Sequence, residues 1–177
     1  MLTFSHIGGQ GVRITGGPKA VSVYPSKTNA ADISLMPAPE EDTKENVVSW
    51  PGEYDYAGIT VRGIGHSEGQ QVSYTVDIDG IRCAFLSSPL QEWTDADIER
   101  MGDVHVLVLP AEHLKVAQAL LEDVDPRMLI LVSGKNGKLD PEVMKHCGGT
   151  GKAPMDEIKI KGAFPAEGRE VMVFSGK

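Results

Sequence analysis

Residues 72–86 read VSYTVDIDGIRCAFL and contain the clearest fold signal in the chain. Apolar residues alternate with polar ones in the first half, at Val72, Tyr74, Val76 and Ile78, and this period of two is typical of a half-buried strand. A second apolar run, 81–86, follows after Asp79-Gly80. An Asp-Gly dipeptide between two strands favours the positive-φ turn of a tight hairpin. The stretch therefore predicts a β-hairpin.

The chain before this hairpin consists mainly of short strand patterns. Runs rich in β-branched residues lie at 12–15, 20–24, 31–36, 47–50 and 59–64, with glycine, proline or polar residues between them. The segment 38–45 is acidic and shows no alternation, so we expect a loop or a short helix there. The first half of the chain is thus predicted to be β-structure.

Helix signals begin after residue 90. Thr94, with Asp97 three residues later, resembles a capping box, and Gly102 is suited to end the helix that follows. Apolar residues fall on one helical face between 114 and 124. A further helix is predicted to begin at Asp140-Pro141, where an N-cap residue precedes a proline at the first helical position.

Strands alternate with these helices. The runs 104–109 and 128–132 are almost entirely apolar, as expected of strands that are covered on both faces. Shorter strand patterns at 158–160 and 171–174 are predicted to be edge strands. Strands first, and then alternating helix and strand, predict two sheets with helices packed outside.

Composition narrows the classes of function. The chain has 177 residues, 41% of them hydrophobic, which predicts one folded domain spanning residues 1–177. Its net charge of −8 argues against nucleic acid and against an anionic membrane as partners, because both would repel it. Two cysteines that lie far apart, an N-terminus without a signal-peptide pattern and no long apolar run predict a soluble, cytoplasmic protein.

Several short motifs occur in an order that resembles a known family. They are Ala31-Asp32-Ile33, Pro51-Gly52-Glu53-Tyr54, Asp79-Gly80-Ile81-Arg82, the segment from Ile98 to Val104, and the segment from Pro126 to Ile130. Together they resemble the metallo-β-lactamase superfamily, specifically its branch of ascorbate-phosphate-lactonase-like metal-dependent hydrolases. The resemblance covers about residues 3 to 145. It implies an α/β fold, a four-layer αββα sandwich that is shortened here, with a dinuclear metal site that hydrolyses lactone, ester or phosphodiester bonds.

The metal ligands that the resemblance implies are mostly replaced. The four ligand positions of the family's His-x-His-x-Asp-His loop fall on Ala38, Glu40, Asp42 and Thr43, where Asp42 matches and Glu40 offers another carboxylate. The His-Leu-Gly-Asp element corresponds to residues 85–88, which puts Phe85 at its start and Ser88 at the bridging carboxylate. Ser133 stands at the final histidine, and His66 corresponds to the remaining one.

This replacement predicts a vestigial site without catalytic residues. A pair of divalent ions needs imidazoles and carboxylates that converge from several loops, and hydroxyl or methyl groups are poor substitutes. The predicted lining is Ala38, Glu40, Asp42, Thr43, His66, Phe85, Ser88 and Ser133. No cofactor is expected; as an alternative, Glu40, Asp42 and His66 would hold a single divalent metal such as zinc or manganese.

Three functions remain open from the sequence. The first is a non-catalytic binding or scaffolding protein, with a protein partner or as a homo-oligomer, and a small-molecule ligand of unknown identity. The second is a residual hydrolase with an altered or mononuclear metal site. The third is a structural subunit whose exposed sheet edge pairs with a partner. The short connection between Met36 and Trp50 leaves little chain to cover a substrate, which favours binding over catalysis.

Other candidate residues are assigned ordinary roles. His105 is predicted to be a buried, hydrogen-bonded histidine inside the strand 104–109. Glu112 and His113 are predicted to form the solvated start of a helix. The serines at 87–88 and 133 are predicted to lie in turns, because no base at a credible spacing supports a nucleophile.

Overall fold

The computed structural model describes residues 1–27 and 31–176, which form two β-sheets stacked face to face. In spatial order the six-stranded sheet contains β12 (Glu157–Ile160), β1 (Leu2–His6), β2 (Val12–Gly16), β3 (Lys19–Val23), β4 (Ile33–Leu35) and β5 (Val47–Val48). The seven-stranded sheet contains β13 (Glu170–Val173), β11 (Met128–Val132), β10 (Val106–Pro110), β9 (Ile81–Phe85), β8 (Gln71–Ile78), β7 (Ile59–His66) and β6 (Gly52–Tyr56). Both sheets are mixed. Parallel pairing joins β9, β10, β11 and β13 in the seven-stranded sheet, and β3, β4 and β5 in the six-stranded sheet.

The hairpin predicted for residues 72–86 is confirmed. It joins β8 to β9, and Asp79 and Gly80 have φ angles of 52° and 76°, as the tight turn requires. Ile78 pairs with Ile81, and Tyr74 therefore pairs with Phe85. This register puts the alternating apolar residues of both strands on the face that meets the other sheet.

The main core lies between the two sheets. The large, fully buried side chains of this core include Phe4, Ile14, Leu35, Tyr74, Phe85 and Phe174. Two tyrosine hydroxyls are satisfied at its margin: Tyr74 donates to Met36 O at 2.6 Å, and Tyr24 donates to Val72 O and Phe85 O at 2.9 and 3.0 Å. Because both tyrosine hydroxyls are paired, their burial leaves no uncompensated donor at these two positions.

Three predicted helices are confirmed, and the first and third have the predicted caps. They are α1 (Asp95–Met101), α2 (Leu114–Val124) and α3 (Pro141–Cys147). Thr94 and Asp97 form a capping box, and Asp140 accepts from the backbone N–H groups of Glu142 and Val143. All three helices pack on the outer face of the seven-stranded sheet, where their apolar residues form a second core with that sheet.

The predicted α/β sandwich of two sheets with outer helices is confirmed. In residues 1–27 and 31–176, however, no helix packs on the outer face of the six-stranded sheet. The segment 38–46, which follows β4, consists of bends and a turn. The exposed side of that sheet instead carries polar residues at alternate positions, including Thr3, Ser5, Arg13 and Thr15. Within the same residues, no helix is long and apolar enough to span a membrane.

Two details of the secondary structure differ from the prediction. The strand expected at 104–109 begins at Val106; His105 lies just before it, is half-buried, and accepts a hydrogen bond from Arg82 N at its Nδ1 (3.0 Å). The strand β6 was not predicted. Its side chains are mostly exposed, so no burial-driven alternation marks it in the sequence.

Candidate functional site

Polar residues collect where the parallel strands β9, β10 and β11 end. Ser87 and Ser88 follow β9, Glu112 follows β10, and Ser133 follows β11. The three serines are 1%, 5% and 0% exposed, so their hydroxyl groups need protein partners. We call these four residues the serine edge. Its position at the carboxyl ends of parallel strands is the usual place for a ligand site in an α/β sheet.

Glu112 organises the serine edge. Its Oε1 accepts hydrogen bonds from Ser88 Oγ at 2.7 Å and from Leu90 N at 2.8 Å. Ser88 Oγ in turn accepts from Lys135 N at 2.7 Å. The prediction that Glu112 is a solvated helix-start residue is therefore wrong, because its carboxylate ties together the segments that follow β9 and β11.

The loop between β1 and β2 closes the serine edge from the other sheet. Gln10 Oε1 accepts from Ser88 N at 2.9 Å, and Ser133 Oγ donates to Gly9 O at 3.1 Å. Gly134 packs closely against this network, since a Cβ atom there would collide with Glu112 Oε2, which would have to shift, and would lie 3.3 Å from Ser88 Oγ. The edge is thus filled by its own hydrogen bonds.

His66 reaches this region through other serines. Its Nε2 lies 3.2 Å from Ser73 Oγ, which lies 3.2 Å from Ser87 Oγ and accepts from Ser87 N at 3.1 Å. The imidazole also contacts Trp93, with ring centroids 4.6 Å apart. Burial lowers the pKa of His66 below its ordinary value, and the carboxylate of Asp97 offsets part of this effect. The buried imidazole is therefore stabilised in its neutral form.

The depressed pKa of His66 predicts a pH-dependent stability. In the unfolded chain a histidine titrates near pH 6.5, so between about pH 6.5 and the lower folded pKa the unfolded chain binds more protons. The stability contributed by neutral His66 is fully present above about pH 6.5 and is lost as the pH falls below it. We expect His66→Gln to flatten the slope of unfolding free energy against pH in this window, measured by urea unfolding. His113→Asn, at an exposed histidine, is the control and should keep the slope.

The acidic loop residues lie in a different place. Glu40, Asp42 and Thr43 are exposed and line a cleft of about 380 Å³, together with Lys27 and Lys44. His66, Ser88 and Ser133 do not line this cleft. The loop is fixed by two hydrogen bonds, from Glu40 N to Ser49 Oγ at 3.0 Å and from Trp50 Nε1 to Glu40 O at 3.1 Å.

The remaining two predicted positions have no polar role. Ala38 is exposed and follows Pro37, whose carbonyl oxygen accepts from Val72 N at 2.9 Å. Phe85 is 1% exposed, and its side chain packs in the core between the sheets. The structure thus brings His66, Ser88 and Ser133 toward one edge, places Glu40, Asp42 and Thr43 around a cleft, and buries Phe85.

The donor set of the serine edge does not fit a pair of divalent cations. Hydrogen bonds in the described part of the chain bring one carboxylate, Glu112, to these serines, and its Oε1 already accepts from two donors. Across residues 1–27 and 31–176, no three His, Cys, Asp or Glu side chains are grouped so as to hold a metal ion. Neutral hydroxyls cannot offset the charge of two such ions.

The sequence analysis did not assign Glu112 to this site or Gln10 to its surroundings. A usable signal existed for Glu112, which lies two residues after a buried strand, because the carboxyl ends of parallel strands meet at one edge. Gln10 carries no such signal. Its partner Ser88 is 78 positions away in sequence, and only the stacking of the two sheets brings them together.

Comparison with solved structures identifies the fold. A proposed Zn-dependent hydrolase of the metallo-β-lactamase superfamily from Thermotoga maritima is 17% identical, with 98% of each chain covered and a TM-score of 0.77. A possible metal-dependent hydrolase from Veillonella parvula is 11% identical over 90% of this chain and 100% of its own, with a TM-score of 0.66. The metallo-β-lactamase-fold protein YhfI from Bacillus subtilis is 8% identical over 99% of this chain and 97% of its own, with a TM-score of 0.65.

These likenesses establish the metallo-β-lactamase fold for the chain. No family model matches the sequence. No curated protein matches it either. At such low identities a shared fold does not transfer an activity, so the function has to be argued from the site itself.

Proposed function

We propose that this protein is a non-catalytic binding or scaffolding protein that descends from the lactonase-like branch and has lost most of its metal ligands. The observation that supports this proposal most directly is the role of Glu112. Its carboxylate accepts hydrogen bonds from Ser88 and Leu90 at the edge where the family resemblance implies a metal site. A network of hydroxyl and amide groups thus stands where convergent imidazoles and carboxylates would be needed.

The chemistry of the replaced positions supports the same proposal. Ser88 and Ser133 are buried, and each hydroxyl is satisfied by the protein itself. A metal ion at this edge would have to replace these hydrogen bonds, and the carboxylate of Glu112 is the one negative charge that they bring to these serines. The resulting cost of buried, uncompensated charge opposes metal binding.

A binding role has a candidate surface beside the acidic loop. The cleft of about 380 Å³ lies within the usual size range of small-molecule sites. Its lining combines two lysines, Lys27 and Lys44, with the carboxylates of Glu40 and Asp42. Such a mixed lining suits a small polar molecule that carries both signs of charge, rather than a phosphate backbone.

The competing hypothesis is a residual hydrolase with one metal on Glu40, Asp42 and His66. Glu40 and Asp42 do share the cleft, but His66 is 7% exposed and bonded to Ser73. The three side chains would have to move together before they could share an ion. The comparison of the two hypotheses therefore depends on whether the protein retains metal.

Metal analysis decides between these functions. Purified protein is loaded with Zn²⁺ or Mn²⁺, dialysed and analysed by mass spectrometry, and then assayed with lactone, ester and phosphodiester substrates. We expect well below one equivalent of metal and no turnover above buffer. Asp42→Ala and His66→Ala should not change either result. A near-stoichiometric metal that disappears in either variant, with turnover that follows it, would instead establish the residual hydrolase.

A further inference from the structure

Two of the strands that end the sheets, β6 and β12, lie on opposite sides of the molecule. β6 ends the seven-stranded sheet and β12 ends the six-stranded sheet. β5, at the other end of the six-stranded sheet, is joined to β6 by only the three residues 49–51, so β6 lies on the side away from β12. In the part of the chain that the structure describes, no further strand pairs with the outer edge of β6 or with residues 157–160 of β12. Met155, two residues before β12, is bridged to Phe174, so the edge considered below begins at Glu157.

The β6 edge is acidic on one face and aromatic on the other. Glu53 and Asp55 point outward and are exposed; Glu53 pairs with Arg62 at 2.7 Å but its side chain is still 69% exposed. Tyr54 packs against the core between the sheets, and Tyr56 is 44% exposed. An exposed edge strand with unpaired backbone groups is a template for another strand.

The β12 edge has the complementary pattern. Ile158 and Ile160 point into the core, and Lys159 and the following residue, Lys161, are exposed on the other face. Glu157 also lies on that face and pairs with Lys159 at 2.9 Å. Apolar and basic residues thus alternate at the end of one sheet, and aromatic and acidic residues alternate at the end of the other.

We propose that the β6 edge of one copy of this chain pairs with the β12 edge of a second copy. In an antiparallel register with Asp55 opposite Lys159, Glu53 falls opposite Lys161. The same register sets Tyr54 against Ile160. Opposite charges across paired strands are favourable, and like charges are unfavourable. Glu157, the one acidic residue of β12, then falls opposite residue 57, beyond the end of β6.

Charge disfavours a symmetric contact through β6 alone. A two-fold antiparallel pairing of β6 with its own copy would set Glu53 opposite Asp55 on the outer face. The contact is therefore heterologous, with different edges on the two partners. Because the edges lie on opposite sides of the molecule, repeated contacts add copies head to tail, and the assembly grows with concentration.

The same charges have a competing explanation, because charged residues on edge strands also protect proteins against unwanted pairing. Two charge-reversal variants separate the explanations. Glu53→Lys with Asp55→Lys makes both edges basic, and Lys159→Glu with Lys161→Glu makes both edges acidic. If the edges pair, each variant alone carries matching charges at the contact, and an equimolar mixture restores opposite charges.

The test is sedimentation velocity of the full chain over a range of concentrations at low and high salt. We expect the average mass of the unmodified protein to rise with concentration beyond that of a dimer, and to fall with added salt. Each double variant alone should associate at least about tenfold more weakly, and the mixture should regain the association. Glu122→Lys with Asp123→Lys, a reversal at exposed residues of α2, should leave association unchanged.

Three results would overturn the proposal. The first is a protein that stays monomeric at every concentration, which would assign the edge charges to protection. The second is a mixture that associates no better than its two components. The third is a dimer that neither grows nor responds to the variants, which would place the contact elsewhere. Circular dichroism confirms that each variant is folded, and none of these outcomes depends on whether the protein binds metal.

Discussion

Replacing Phe85 with alanine is expected to lower the free energy of unfolding by about 3–5 kcal/mol, the usual cost of deleting a large buried aromatic side chain. Phe85 is 1% exposed and pairs with Tyr74 across the hairpin. Its side chain lies in the core between the two sheets, so alanine at this position would leave a cavity that is closed to solvent. Urea unfolding followed by fluorescence or circular dichroism measures the loss.

Two further variants at this position test its environment. Phe85→Leu keeps an apolar side chain of similar size and should cost less than about 1.5 kcal/mol. Phe85→His restores the residue that the family resemblance implies, but here it would bury a polar ring in an apolar core, so we expect it to destabilise the protein strongly and to gain no metal. A mild effect of Phe85→Ala, together with metal uptake by Phe85→His, would show that this side chain faces an open site.

The sequence pattern of the hairpin is enough to predict that Phe85 lies in the core. With a two-residue turn at Asp79-Gly80, Ile78 must pair with Ile81, and Phe85 then shares a face with Tyr74. That face holds the alternating apolar residues of β8, so the alternation alone puts Phe85 in the core. The motif alignment instead assigned Phe85 to a site lining, because a matched family position carries no information on which way a replaced side chain points.

Local signals predicted the fold more completely than the site. The capping box at Thr94 and the Asp140-Pro141 helix start are confirmed, because both depend on residues within a few positions of each other. The serine edge depends instead on contacts between residues that are distant in sequence, such as Ser133 with Gly9, 124 positions apart. Such contacts result from the stacking of the two sheets, and no local sequence pattern predicts them.

The strand β6 shows a different limit. Apolar alternation reports burial, and β6 is exposed along most of its length, so this strand lacks the signal by which the others were found. Because β6 is exposed, it lacks the apolar alternation that would predict it, and its edge is available to a partner strand.

Glu112→Ala is expected to lower the free energy of unfolding by about 2–3 kcal/mol. The substitution leaves Leu90 N–H without its acceptor and removes the partner of the Ser88 hydroxyl, and an unsatisfied buried donor costs about 1–3 kcal/mol. The segment that follows β9 would lose the hydrogen bonds that connect it to the segment after β10. The measurement is again urea unfolding.

Glu112→Gln is the matched control, because the amide oxygen of glutamine can take the place of Oε1 as acceptor for both donors. If the role of Glu112 is structural, Glu112→Gln should retain more than half of the stability that Glu112→Ala loses, since shape and acceptor are kept and only charge is removed. A carboxylate that served a reaction or held a cation would behave in the opposite way. Glu112→Gln would then be as damaging as Glu112→Ala to metal content or turnover, and neither variant would need to be unstable. The ratio of the two stability losses therefore tests whether hydrogen bonding has replaced metal binding at this edge.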